Sequence, residues 1–190
     1  YVASHDLRAP LTAIASLVQW LEEDTAGLLP ESSMKHLTLI KSRVSRMAKL
    51  LEDLLVYSRA GRITNRIECV DTAELVGQVA ELIRGAVPLE IRTSGLPVFD
   101  TVRTPLQQVL RNLISNAVKH HDRETCTLEI TARESGPFHV FRVADDGPGI
   151  PPQFHDKVFN MFQTLRPRDE VEGSGMGLAL VRKLVERYGG

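Results

Sequence analysis

The sequence predicts two unlike parts in tandem, an antiparallel helical hairpin followed by an α/β sandwich, and three observations predict it. Apolar residues recur in steps of three and four from the N-terminus to about Leu54, the spacing of an amphipathic helix. The pattern stops around Ser58-Arg59-Ala60-Gly61-Arg62. After Asn65, short β-rich runs alternate with helical stretches.

From Val2 to about Glu23 the stripe is Leu7, Leu11, Ile14, Val18 and Leu21, and a second stripe runs through Leu37, Ile40, Val44, Met47, Leu51 and Leu54. Ala26-Gly27-Leu28-Leu29-Pro30 reads as the turn between them. A lone hairpin cannot enclose two long apolar stripes, whereas two copies packed as a dimeric four-helix bundle can, so a homodimer is expected. The competing reading packs the hairpin on the rest of its own chain. Residues 1–60 then form the hairpin, 61–65 a linker and 66–190 the second domain. In that domain strands are predicted near Arg66–Val70, Leu89–Thr93, Val98–Thr101, Thr125–Arg133 and Phe138–Asp145. Helices are predicted near Thr72–Arg84, Pro105–His120 and Gly177–Tyr188, covering one face of one sheet.

Composition removes several function classes. A net charge of -1, from 23 Lys+Arg against 24 Asp+Glu, gives no basic footprint for nucleic acid. The two cysteines, Cys69 and Cys126, lack the paired spacing of a zinc site or a disulfide framework, which fits a reducing cytoplasmic setting. No apolar run approaches the roughly 20 residues of a membrane span. The chain starts inside a helix and stops just after one, so it reads as a fragment of a longer protein whose parent remains compatible with a membrane anchor.

The first chemically loaded stretch is Ser4-His5-Asp6-Leu7-Arg8-Ala9-Pro10-Leu11. At about 100° per residue, Leu7, Leu11, Ile14 and Val18 fall opposite His5, so His5 faces water. A neutral imidazole keeps one free lone pair near physiological pH, which makes it a phosphoryl acceptor. An idle surface histidine is the plain alternative. Asp6 can orient the ring or simply complement the helix N-terminus. Pro10 removes a helical partner from the Asp6 carbonyl and predicts a bend. Thr12 and Ser16 share the exposed face and are candidate partner contacts, or solvated helix residues.

Three further groups lie downstream. Asn112, Asn116, Lys119 and His120 occupy one edge of a helix, beside an apolar stripe of Leu106, Val109, Leu110, Leu113 and Ala117. Carboxamide oxygens suit Mg2+ and an ammonium suits phosphate, although polar flanks are commonly just solvated. Asp145-Asp146-Gly147-Pro148-Gly149-Ile150 directly follows a strand and suits a flat purine read by Asp145; an Asp-Gly hairpin turn has the same composition. Gly173-Ser174-Gly175-Met176-Gly177-Leu178 opens a helix and offers N–H groups to phosphates, as many glycine-rich helix starts do.

In order and spacing these stretches together resemble the sensor histidine kinases of two-component signalling. His5 stands in the H box, Asn112 to His120 in the N box, and the two glycine boxes follow. Phe159-Asn160-Met161-Phe162 is similar to the family's phenylalanine box, and is equally compatible with two core aromatics at helical spacing. The resemblance covers essentially the whole chain. It implies a dimerisation and histidine-phosphotransfer hairpin followed by an ATP-binding domain of the histidine-kinase, gyrase and chaperone type. His5 is then phosphorylated from ATP and passes the group to an aspartate of a response-regulator receiver domain, with the upstream sensor absent from this chain.

Residue by residue, the resemblance implies that Asn116 coordinates Mg2+ with Asn112 assisting, and that Lys119 and His120 line the phosphate and ribose. Asp145, with Gly147, Gly149 and Ile150, takes the adenine. Gly173, Ser174, Gly175, Met176, Gly177 and Leu178 take the triphosphate. A lid spans Gln163 to Glu172, from which Arg166 or Arg168 reaches the γ-phosphate, unless those charges are merely solvated. His5, Asp6 and Asn112 form the catalytic set.

Three departures stand out. Ala9 occupies the position where many members carry the Thr or Asn that aids dephosphorylation of the partner. Asp146 replaces the usual Asn of the first glycine box, a size-conserving change. The family's closing strands after the last helix are missing. The main rival, an ATP-hydrolysing machine of the gyrase and chaperone type, resembles its relatives in placing Glu four residues before the metal-binding Asn, where this chain has Asn112. A degenerate kinase serving as a dimeric scaffold is the second rival.

Overall fold

Helical spacing at the start of the chain resolves into α1 (Val2–Asp24) and α2 (Glu31–Arg59). The computed structural model describes residues 2–60, 66–83, 88–165 and 173–190, with side chains from residue 8 onward. The chain divides into two compact units, Tyr1–Ser58 and Arg59–Gly190.

In the first unit, Val18 of α1 and Val44 of α2 are buried, and Lys41 Nζ reaches Glu22 Oε2 at 2.6 Å between the two helices. Leu11, Leu37 and Leu51 are half-buried, while Ile14, Leu21, Ile40 and Met47 are 43–55% exposed. Two helices have too little mutual surface to cover both stripes. Helix α1 continues through Pro10 without interruption.

The second unit contains β1 (Glu68–Asp71), α3 (Thr72–Ile83), β2 (Leu89–Ser94), β3 (Val98–Thr101), α4 (Arg103–His120), β4 (Cys126–Ser135), β5 (Phe138–Asp145) and α5 (Gly177–Arg187). Asp71 caps α3: its Oδ1 accepts from the N–H groups of Ala73 at 2.9 Å and Glu74 at 3.1 Å. The single predicted sheet is hydrogen-bonded as two pieces, a β1–β3 antiparallel pair and a three-stranded sheet in the order β2-β4-β5. β2 runs parallel to β4, and β5 antiparallel to it. The chain leaves β2 at Gly95, whose φ of +66° and close approach to the Ala132 carbonyl turn it away before β3 begins. Thr72 then fastens the start of β3, donating from Oγ1 to the Pro97 carbonyl at 2.7 Å.

β4 shows the alternation of a half-buried strand, with Cys126, Leu128 and Ile130 inside and Glu129 outside. These pack with Leu75, Val76 and Val79 of α3 and with Leu110, Ile114 and Ala117 of α4. Full burial of each larger side chain contributes about 1.5–3 kcal/mol. The helices α3 and α4 thereby lie against the sheet, and α5 packs on α4.

Candidate active site

Burial of Leu110, Ile114 and Ala117 fixes the rotation of α4, which leaves Asn112 and Asn116, one turn apart, half-buried on the adjoining edge. Asn112 Nδ2 donates to the Gln108 carbonyl at 2.8 Å, which fixes the amide and turns its oxygen to the other side. That oxygen faces the start of α5. A Cβ placed on Gly177 would stand 3.1 Å from Asn112 Oδ1 and 3.7 Å from Asn116 Oδ1. Two hard amide oxygens therefore converge on the first residue of a helix, where unpaired N–H groups carry partial positive charge. Lys119 and His120 are exposed in the last turn of α4.

The glycine-rich entry to α5 is shaped by backbone crowding. Gly175 has φ +69°, and a Cβ there would meet Gln163 O at 2.7 Å and Phe162 C at 2.8 Å. Only glycine fits that position. Met176 is 2% exposed and anchors the segment, and its N–H donates to Ser174 Oγ at 3.2 Å. Gly173 is exposed and a Cβ on it would meet nothing within 4 Å, while Leu178 is half-buried.

Asp145 ends β5, and its Oδ1 accepts from the Gly147 N–H at 3.0 Å. This contact holds the carboxylate against the turn and leaves a second oxygen for a donor. Gly149 adopts φ +71°, and Ile150 is 41% exposed. Asp146 is tied to β4: its Oδ1 accepts from the Thr127 N–H at 2.9 Å, and its own N–H donates to the Thr127 carbonyl at 3.3 Å. Arg123 Nη1 donates to its Oδ2 at 3.3 Å. The Thr127 hydrogen bond, helped by the Arg123 charge, holds the Asp146 carboxyl below the ordinary carboxylate value.

Residues 101–190 match the family model of the histidine kinase-, DNA gyrase B- and HSP90-like ATPases, and residues 1–63 match that of the His kinase A phospho-acceptor domain. The chain belongs to the sensor histidine kinases. It is 32% identical to the phytochrome-like protein Cph1 of Synechocystis sp. over 100% of this chain and 26% of that protein. It is 36% identical to the methanogenesis regulatory histidine kinase FilI of Methanothrix harundinacea, over 100% of this chain and 22% of that protein. The chain thus spans about a quarter of the length of these curated relatives. A solved structure of full-length ShkA in complex with AMPPNP superposes with a TM-score of 0.70 at 28% identity, covering 99% of this chain and 40% of that one.

His5 and Asp6 lie within α1, and their side chains are outside the described residues. Arg166 and Arg168 also fall outside them, as does most of the expected lid. Thr12 and Ser16 line one open groove on α1 with Arg8, Ala9 and Ala13, and the Thr12 hydroxyl donates to the Arg8 carbonyl at 3.2 Å. Phe159 and Phe162 do not form a helical core pair. Phe159 ends a 3-10 turn, Lys157–Phe159, and Phe162 has φ 63°; they are 38% and 41% exposed. What the segment supplies is backbone, against Gly175. That contact was hidden in the sequence except for the glycine itself. No helix among the described residues is long and apolar enough to cross a membrane.

Proposed function

We propose that this chain transfers the γ-phosphoryl group of ATP to His5 and then to an aspartate of a response-regulator receiver domain. The observation that carries the reading is the convergence of Asn112 Oδ1 and Asn116 Oδ1 on Gly177, at the mouth of a glycine-rich helix entry. Phosphates favour such an N-terminus, and amide oxygens are the hard neutral donors that Mg2+ selects. The donor set thus fits Mg2+, with Asn116 as ligand and Asn112 held ready by Gln108. When bound, Mg2+ neutralises charge on the phosphate oxygens.

Asp145 accepts a hydrogen bond from the adenine amino group, and Gly147, Gly149 and Ile150 form the surface for the base. Lys119 and His120 face the phosphates and ribose; Gly173, Ser174, Gly175, Met176, Gly177 and Leu178 present backbone to the triphosphate. A neutral His5 nitrogen attacks the γ-phosphorus, a P–N bond forms, the bond to the bridging oxygen breaks and ADP leaves. Asp6 keeps the proton on the other ring nitrogen. Arg166 and Arg168 are the candidate contributors of charge from the lid. Hydrolysis is the weaker alternative, because Asn112 cannot act as a base toward water.

The half-exposed stripe of Ile14, Leu21, Ile40 and Met47 supports a homodimer closed into a four-helix bundle. The groove bearing Thr12 and Ser16 is the receiver-docking candidate, and Ala9 within it favours kinase over phosphatase output. Incubation with γ-labelled ATP and Mg2+ tests the reading: label on His5 supports it, and label elsewhere contradicts it.

A further inference from the structure

We propose that His121, Cys126 and Asp146 form a binding site for a zinc-type divalent cation, apart from the Asn112–Asn116 pair. One ligand atom from each lies within 4.8 Å of the others. The set joins an imidazole nitrogen, a sulfur and a carboxylate oxygen, the mixture that Zn2+ accepts readily. Tetrahedral bonds of about 2.0–2.3 Å put ligand atoms roughly 3.3–3.8 Å apart, so side-chain adjustments of about an ångström close the site. His121 Nδ1 and Asp146 Oδ1 are already 3.8 Å apart.

The independent observation is the state of His121. Its side chain is 1% exposed, and its Nε2 lies 2.7 Å from the Thr125 carbonyl. A carbonyl can only accept, so Nε2 carries the hydrogen, and in the neutral form of the ring the lone pair is on Nδ1. Nδ1 is buried and has no hydrogen-bond partner. Its neighbour Asp146 Oδ1 is likewise an acceptor, already holding the Thr127 N–H, while Arg123 occupies Oδ2. Two acceptors and the buried Cys126 sulfur thus face one another with no strong donor among them. A metal-bound histidine characteristically donates its other N–H to a carbonyl or carboxylate, as Nε2 does here. Asp146 supplies negative charge where the family pattern has a neutral Asn, and its 33% exposed side chain gives a route from solvent.

On coordination the Cys126 S–H bond breaks, the proton goes to solvent, and the sulfur lone pair bonds the metal; no redox change occurs. Titrating untagged, chelator-stripped protein with Co2+ tests the site. We expect a thiolate-to-cobalt charge-transfer band that saturates at equimolar metal, is bleached by Zn2+, and is accompanied by release of about one proton. The chain has two cysteines, so a band retained in Cys69→Ser assigns the sulfur to Cys126 without further variants. His121→Gln, checked for folding by circular dichroism, should weaken Co2+ binding beyond the roughly 10–100-fold typical of second-shell changes. Absence of the band in the unsubstituted protein, or its loss in Cys69→Ser, overturns the proposal.

Discussion

Gly177 sits so near Asn112 that a Cβ on it would lie 3.1 Å from the amide oxygen, which joins the polar edge of α4 to the first turn of α5. Gly177→Ala should therefore displace Asn112 by a few tenths of an ångström rather than unfold the domain. The expected cost is about 1 kcal/mol in ATP binding, roughly a fivefold rise in Kd, by calorimetry. Unchanged affinity would detach this pair from the nucleotide.

Gly175 should respond differently. Its positive φ and its contact with the backbone of Phe162 and Gln163 leave no side chain to move aside. Gly175→Ala is expected to destabilise the second unit by about 1–3 kcal/mol. Thermal unfolding should shift down by roughly 3–10 °C.

The segments legible in the sequence were those whose periodicity recorded a buried face. The β-rich run Thr125–Arg133 announces β4, and the stripe of Leu106, Val109, Leu110, Leu113 and Ala117 announces α4 and the edge holding both asparagines. Contacts made by backbone leave no such trace. Nothing around Gly175 marks Gln163 as its neighbour, and Gly95 does not disclose that it separates β2 from β3 into two sheets. The grouping of His121 with Cys126 and Asp146 was obscure for another reason: it depends on the β4–β5 register, which places Asp145 opposite Leu128.

Asp146 gives a pH-dependent signature. Its folded-state pKa lies below the ordinary 3.8, so the ionised carboxylate stabilises the fold above that value, and the contribution disappears as pH falls through the folded pKa. Asp146→Asn keeps an acceptor for Thr127 but loses the charge facing Arg123 and His121. In urea melts, the stability gap between the two proteins should be widest above about pH 5 and shrink below about pH 4.

The open stripe of the hairpin predicts assembly. Met47 is 55% exposed, so Met47→Glu should leave the isolated hairpin folded while placing a charge in a dry interface. Sedimentation should show a dimer for the unsubstituted chain and a dissociation constant raised more than about tenfold in the variant. A monomeric unsubstituted chain at all concentrations would contradict the bundle.

Phosphoryl transfer to His5 is measured most directly with γ-labelled ATP and Mg2+ on the unsubstituted chain and on His5→Gln. Phosphorylation of His5 should give an acid-labile, base-stable phosphoprotein that disappears in His5→Gln while ATP binding persists. Label that survives His5→Gln would contradict it.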